Sequence, residues 1–322
     1  MTEEKQRPGH RPLLGISTCL LGEPVRYNGG HKHDYYLTDI LGAYVDYYPV
    51  CPEVECGMGI PREAVHLEGT ADDNRLVGTK TKTDWTNIMN HWAEKKLKEL
   101  ENQPLCGFIF KSGSPSSGMI HVKVYDKNKI PHKVGVGMFA RDLMKHFPLL
   151  PVEDDGRLHN AIIKETFLDH VFTLHRFHCL QKKPTAEGLV DFHSQHKMIY
   201  LSHSPELQKK LGQIVASNTK KNLEPTLKEY HNVMTECLRI PVSIQKHTNV
   251  LHHLMGFFKD YLSDKDRHEL LGLINDYHKE LIPLIVPITL INHHTKHLDN
   301  EYLSKQLYLH PHPHELKLRN HL

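Results

Sequence analysis

The sequence predicts an α/β domain with a mostly parallel sheet, followed by an all-α domain. Three observations carry this expectation. The chain has 322 residues, enough for two domains at roughly 150 residues each. Before residue 160, short apolar runs ending in turn chemistry alternate with helical patterns, as strands joined by crossover helices do. From Asn160 onward the apolar residues follow helical spacing alone. The expected domains are 1–180 and 185–322. The polar segment Gln181-Lys182-Lys183-Pro184-Thr185 joins them, its Pro-Thr pair suiting a helix start.

The first expected strand covers 13–17 and ends at Thr18-Cys19. A second covers 43–50 and ends at Cys51; a third, over 106–111, runs into the turn-rich segment 112–118. Between these two, Trp85, Ile88, Met89, Trp92, Leu97 and Leu100 recur near helical spacing, behind Thr83 or Asp84 as N-cap. A further helix is expected over 138–147, after Val134-Gly135-Val136-Gly137. Such sheets bind ligands beyond the carboxyl ends of their strands. Cys19, Cys51 and Ser114 are delivered to that edge. In the second half, Ile162, Ile163, Phe167, Val171 and Phe172 open a helical pattern that recurs over 189–201, 207–215, 227–238, 250–262 and 268–281. Ser263 and Asp264, with Asp266 close behind, make a good helix start.

Composition narrows the function classes. Forty Lys and Arg against 38 Asp and Glu leave a net charge of +2, which excludes a protein that coats nucleic acid by bulk charge. Six cysteines in so long a chain are not a disulfide scaffold. Residues 1–12 are polar and lack the apolar core of a secretory signal. The longest apolar stretch, 281–291, is interrupted by Pro283 and Pro287 and is too short to span a bilayer. A cytoplasmic protein with reduced thiols and no membrane partner is expected.

The chemistry-bearing residues gather in the first half. Cys51-Pro52-Glu53-Val54-Glu55-Cys56 sets two thiols five positions apart, and Cys19 ends the preceding strand. Thiolates suit zinc or iron–sulfur clusters, and three of them leave one position open to substrate. Cys19, Cys51 and Cys56 are therefore the candidate metal ligands. The plain alternative is a buried thiol acting as a small apolar side chain; Cys106, Cys179 and Cys237 are read that way. Glu53, directly after Cys51-Pro52, is the first candidate for proton transfer or water activation, although spacing alone leaves open whether Glu53 or Glu55 faces inward. Ser114 is a second catalytic candidate, otherwise a turn residue. Arg26, Asn28 and Ser117 are candidate substrate contacts; Gly29 and Gly30 allow the backbone of the first loop to approach a ligand.

Histidine is abundant, 28 in all, of which nine precede residue 160. Asp191, His193 and His196, and later His247 with His252-His253, invite a metal reading. No H-E-x-x-H or comparable motif supports it, so interfacial side chains are the preferred reading. Charging on mild acidification would make the helical half cationic and favour RNA contact.

Several motifs together resemble a known family. Gly15-Ile16-Ser17-Thr18-Cys19-Leu20-Leu21-Gly22, Val25-Arg26-Tyr27-Asn28-Gly29-Gly30, Pro49-Val50-Cys51-Pro52-Glu53-Val54 and the segment 111–118 resemble the uncharacterised-domain family that includes the thiouracil desulfidases, over residues 13–180. From 185 on, Asp191-Phe192-His193, His203-Ser204-Pro205-Glu206, Lys246-His247-Thr248-Asn249-Val250-Leu251 and Leu284-Ile285-Val286-Pro287 resemble a YbgA-like domain. The first resemblance implies a [4Fe-4S] cluster on three cysteines, one iron being open to the sulfur of a thiocarbonyl that is then replaced by oxygen from water. The implied substrate is a small thiolated base. Cys19 and Cys51 match the first two ligands. The third stands in a Ser-Pro-Ser-Cys-Gly turn, which here reads Ser114-Pro115-Ser116-Ser117-Gly118. Either Cys56 supplies the third thiolate, the favoured reading, or the cluster is lost. Asn28 stands where many relatives carry Asp. The rival function is a non-catalytic protein that binds a ligand or nucleic acid on a cluster-less version of the fold.

Overall fold

The computed structural model describes residues 11–217, 222–298 and 300–320. In chain order, the first half forms β1 (Leu13–Ser17), β2 (Asp46–Val50), α1 (Pro52–Glu55), β3 (Val65–Gly69), β4 (Asn74–Gly78), α2 (Thr86–Glu101), β5 (Leu105–Phe110), β6 (Val122–Tyr125), β7 (Pro131–Gly135), α3 (Met138–His146) and β8 (Val152–Asp154). One sheet is wholly parallel, in the order β2-β1-β5-β8. Every residue of β5 is buried, as are Leu14 and Ile16 of β1, the run expected of a sheet covered on both faces. Phe108 lies 4.5 Å from Phe110 and 5.9 Å from Phe139 between ring centroids. A Cβ at Gly15 would overlap the Phe108 ring, so the absence of a side chain there is a packing requirement.

The second strand begins at Asp46 rather than 43. Its register opens at Leu13↔Asp46, so residues 43–45 have no strand of β1 opposite them, and 41–43 close a 3₁₀ turn instead. A second sheet, ordered β4-β3-β6-β7, was not expected from the sequence. It buries Leu67, Leu76, Val122 and Val124 in one cluster with Met58, Met89 and Met138.

The second half is all helix: α4 (Ala161–Lys182), α5 (Ala186–His203), α6 (Pro205–Ala216), α7 (Leu223–Leu238), α8 (Ile244–Gly256), α9 (Asp264–His278), α10 (Ile285–His297) and α11 (Glu301–Ser304). The chain divides into two compact units at His159/Asn160, so the link over 181–185 joins two helices of the second unit. Packing explains why α4 belongs there: Phe177 sits 5.6 Å from Phe192 and 6.0 Å from Tyr230. Side chains of Asn160, Thr185, Ser204, Ser243 and Ser263 accept first-turn amides of their helices, satisfying donors that have no intrahelical partner. The start expected at Ser263-Asp264 is the observed one. α10 falls in the stretch that its prolines had marked as interrupted. Pro287 lies in its first turn, where a missing N–H costs nothing. Among the described residues, no helix is long and apolar enough to cross a membrane. Residues 1–10, read above as lacking a secretory signal, lie outside the described residues.

Candidate functional site

β1 and β2 end side by side, with Ser17 opposite Val50. The residues that follow, Cys19 and Cys51, are thereby carried to one edge. β5 ends next door, where the Lys111 amide donates to Ser17 Oγ at 2.9 Å, and the turn after it completes a cleft of about 190 Å³. The turn is fixed by its own chemistry. Ser114 Oγ accepts the Ser117 amide at 3.1 Å, and the Gly118 amide donates to Ser114 O at 2.8 Å. A Cβ on Gly137 would come within 2.6 Å of the Ser116 carbonyl carbon. This close approach lets the Met138 and Phe139 amides at the start of α3 donate to Pro115 O and Ser116 O.

Glu53 lines the cleft and Glu55 does not. Glu53 Oε1 accepts from Ser116 Oγ at 2.9 Å, while Oε2 is paired with Arg62 Nη2. Arg62 Nη1 in turn donates to Val25 O at 3.0 Å and Gly59 O at 3.1 Å. Glu55 accepts the Cys51 amide at 2.8 Å and pairs with Lys96 of α2 at 3.0 Å, which is the capping role of an acidic residue at a helix start. Lys111 Nζ stands 2.8 Å from Asp155 Oδ2. Arg26, Ser114 and Ser117 also line the cleft. Asn28 does not: it is exposed, and its Oδ1 accepts the Gly30 amide at 3.1 Å to close its own loop.

The three candidate thiols do not share one wall. Cys19 and Cys51 line the cleft. Burial pushes the Cys19 thiol up to about 11, against the pull of Lys111. Burial raises Cys51 as well, opposed by the Val54 amide at its sulfur. Cys56 follows the single turn of α1, and its thiol donates to Glu53 O at 3.4 Å. It packs on the apolar cluster with Trp85 and Trp92 and borders a separate hollow with His91 of α2. A small polarizable thiol suits that apolar wall, and burial pushes it up to about 11. The position where the resemblance places a third cysteine holds Ser117, 4% exposed, an alcohol where a cluster needs a soft thiolate. Among the described residues, no group of three or more His, Cys, Asp or Glu is placed to hold a metal ion. This donor set does not fit a cluster held by three cysteines.

Sequence reasoning missed Ser116, Arg62 and the Lys111–Asp155 pair. Ser116 was signalled by the turn motif itself, whereas Arg62 and Asp155 are isolated charges brought in only by folding. Two histidines of the second unit that invited a metal reading are buried with protein partners. His193 Nδ1 meets Tyr230 OH at 3.1 Å and His196 Nδ1 meets Phe192 O at 2.7 Å. Burial lowers them to about 4 and about 3.

Comparison with known proteins agrees with this division. Residues 14–155 match the family model for 2-thiouracil desulfurase, and 197–313 match that for a protein of unknown function, DUF1722. The uncharacterised protein YbgA of Escherichia coli (strain K12) is 32% identical over 158 residues, covering 48% of this chain and 94% of YbgA. The chain belongs to the YbgA family. This YbgA relative thus combines a desulfurase-type α/β unit with a DUF1722 helical unit. The uncharacterised protein YbbK of Bacillus subtilis (strain 168) is 28% identical over 125 residues, 37% of this chain and 82% of YbbK. A solved structure of the [4Fe-4S]-dependent thiouracil desulfidase TudS is 29% identical with a TM-score of 0.39, covering 46% of this chain and 94% of that one.

Proposed function

We propose that the cleft removes the sulfur of a small thiocarbonyl compound of the thiouracil class by thiol addition followed by hydrolysis. One observation carries the reading: two thiols, Cys19 and Cys51, line one small cleft with a carboxylate, Glu53, at the carboxyl ends of parallel strands. The desulfurase-type family match supports the reaction class.

Cys51, whose sulfur receives the Val54 amide, is the nucleophile. Its sulfur adds to the thiocarbonyl carbon as its proton passes to the substrate sulfur; hydrogen sulfide then leaves with a second proton from the adjacent ring N–H, and a thioimidate on Cys51 remains. Water adds to the same carbon, returning one proton to the ring nitrogen, Glu53 moves the other to the departing Cys51 sulfur, and the oxygen stays on the ring. The sum is C=S plus H₂O giving C=O plus H₂S, with no change of oxidation state. Lys111 and Arg26, both acting on Cys19, supply positive charge where hydrosulfide develops. Ser116 and Arg62 hold Glu53 in place.

The test is sulfide release from 2-thiouracil by anaerobically purified protein, with iron and acid-labile sulfide measured on the same sample. Release without stoichiometric iron, lost in Cys51→Ser and kept in Cys56→Ser, is the expected result. A stoichiometric cluster that Cys56→Ser abolishes would overturn the proposal and make Cys56 the third ligand of a [4Fe-4S] centre. A binding protein without catalysis is the second reading, favoured by the burial that holds both cleft thiols in their neutral form. Thiouracil retained without sulfide release would select it.

A further inference from the structure

One histidine pair belongs neither to the thiol cleft nor to the buried interior. Near the end of the chain, His310-Pro311-His312-Pro313-His314 alternates three histidines with two prolines. His310 and His314 are both exposed. Nδ1 of His310 stands 3.1 Å from Nε2 of His314, the ring planes lying at 84° with their centroids 5.1 Å apart. His312 is turned elsewhere: its Nδ1 meets Pro313 O at 3.4 Å and its Nε2 is buried.

The backbone holds the two exposed rings in this arrangement. Each proline fixes one φ angle, and Pro311 O accepts from the Arg176 guanidinium of α4. The His310 amide donates to Leu307 O at 3.0 Å. A 3₁₀ turn over His314–Leu316 follows, with the Leu316 amide donating to Pro313 O at 3.2 Å and the Lys317 amide to His314 O at 3.0 Å. Leu309, directly before His310, and Leu316, two residues after His314, are both buried and anchor the loop on either side. A pair pinned in this way pays little ordering cost when both rings meet one ligand.

A hydrogen bond between two exposed imidazoles competes with water and contributes little. The separation suits a different partner. Two imidazole nitrogens bound to one ion at about 2.0–2.1 Å lie about 2.9 Å apart at a right angle and about 3.3 Å apart at the tetrahedral angle. The observed 3.1 Å falls between these values. We propose that His310 Nδ1 and His314 Nε2 together bind one divalent transition-metal ion of the nickel or zinc type, with water completing its coordination. Imidazole nitrogen suits these ions, whereas magnesium and calcium prefer oxygen. Arg319 and Lys296 act on His310, and Lys317 lies three residues beyond His314. These positive charges oppose a dication, so the affinity rests on the two coordination bonds and not on long-range attraction. The ion joins the turn over Leu307–Leu309 to the turn over His314–Leu316. It thereby staples the segment whose Arg319 reaches Glu165 of α4. The site is independent of the thiol cleft.

The full chain would be titrated with Ni²⁺ by calorimetry and thermal shift, with Mg²⁺ as control. A saturable tightest site for one Ni²⁺ that raises the melting temperature, and that Mg²⁺ does not fill, is expected. It should persist in Cys51→Ser. Both ligands being exposed, His310→Ala and His314→Ala spare the core, and each should weaken the site about tenfold or more. The double variant should be no weaker than either single one, because one ring alone cannot chelate. His293→Ala, which breaks the comparable His293–His297 pair of α10, should leave the site unchanged. The proposal is overturned by unchanged binding in both single variants, by losses that add between them, by loss of the site in His293→Ala, or by equal binding of Mg²⁺.

Discussion

The thiol cleft and the interior of the helical unit both hold ionisable groups away from water, and they differ in what those groups are. In the cleft, charge is met by charge: Glu53 by Arg62 with Ser116, and Lys111 by Asp155. In the helical interior, buried pairs such as Glu165 with Arg319 stand beside several polar atoms that have no partner. Thr173 Oγ1, His196 Nε2, Arg176 Nη1 and Arg319 Nη2 all lack one. The histidines there stay neutral because burial disfavours the charged form. Paired charges keep their arrangement across a wide pH range, while neutral buried histidines tie the fold to pH.

The comparison is broken most directly at Ser117. Replacing it with cysteine supplies the thiol that the resemblance leads one to expect in that turn. Ser117→Cys should go from no stoichiometric cluster to one after anaerobic reconstitution, read as iron, acid-labile sulfide and visible absorption. Equal iron in wild type and variant would show that Ser117 does not set metal content. Next in size is Cys51→Ser, expected to lower sulfide release on the order of a thousandfold, as removal of a covalent nucleophile does. Glu53→Gln keeps the shape and should cost about a hundredfold in kcat; an unchanged kcat would remove Glu53 from proton transfer. Because burial raises both cleft thiols, release should climb with pH through the alkaline range. A rate that falls there counts against thiol addition.

The helical unit yields smaller, thermodynamic effects. His193, His196 and His231 are lowered by burial to about 4, about 3 and about 4 from an ordinary value near 6.5. A depressed folded-state value means that the unfolded chain takes up the proton first. The stability these histidines contribute is therefore complete above pH 6.5 and lost as pH falls toward 4. Each costs about 1.4 kcal/mol per pH unit in that window. Circular dichroism during acid titration should show helix melting there, and an unchanged midpoint from pH 7 to 4.5 would contradict the assignment. The smallest effect is Ser263→Ala at the cap of α9, about 1 kcal/mol by denaturant unfolding.

Much of this was legible in the sequence, for physical reasons. β1 and β5 are apolar on both faces, and the helices carry sidechain-capped starts, so both signals survive without tertiary information. The second sheet escaped because its strands are short. Val65-His66-Leu67-Glu68 and Val122-Lys123-Val124-Tyr125 do alternate, over too few residues to outweigh their charges. Pro287 disguised α10. The thiols show the limit of spacing most clearly. Cys51 and Cys56 are near in sequence, yet a single helical turn separates them into a polar cleft and an apolar wall, and the choice between Glu53 and Glu55 was settled by partners distant in the chain.

The turn over 114–118 has a consequence for how such proteins diverge. The contacts that hold it run through Ser114, the main chain and the glycine at 137. Residue 117 can therefore exchange oxygen for sulfur without refolding the loop that presents it. Serine and cysteine are one nucleotide apart, so a lineage can gain or lose a thiol at this edge of the cleft in a single mutational step, the scaffold remaining intact on either side.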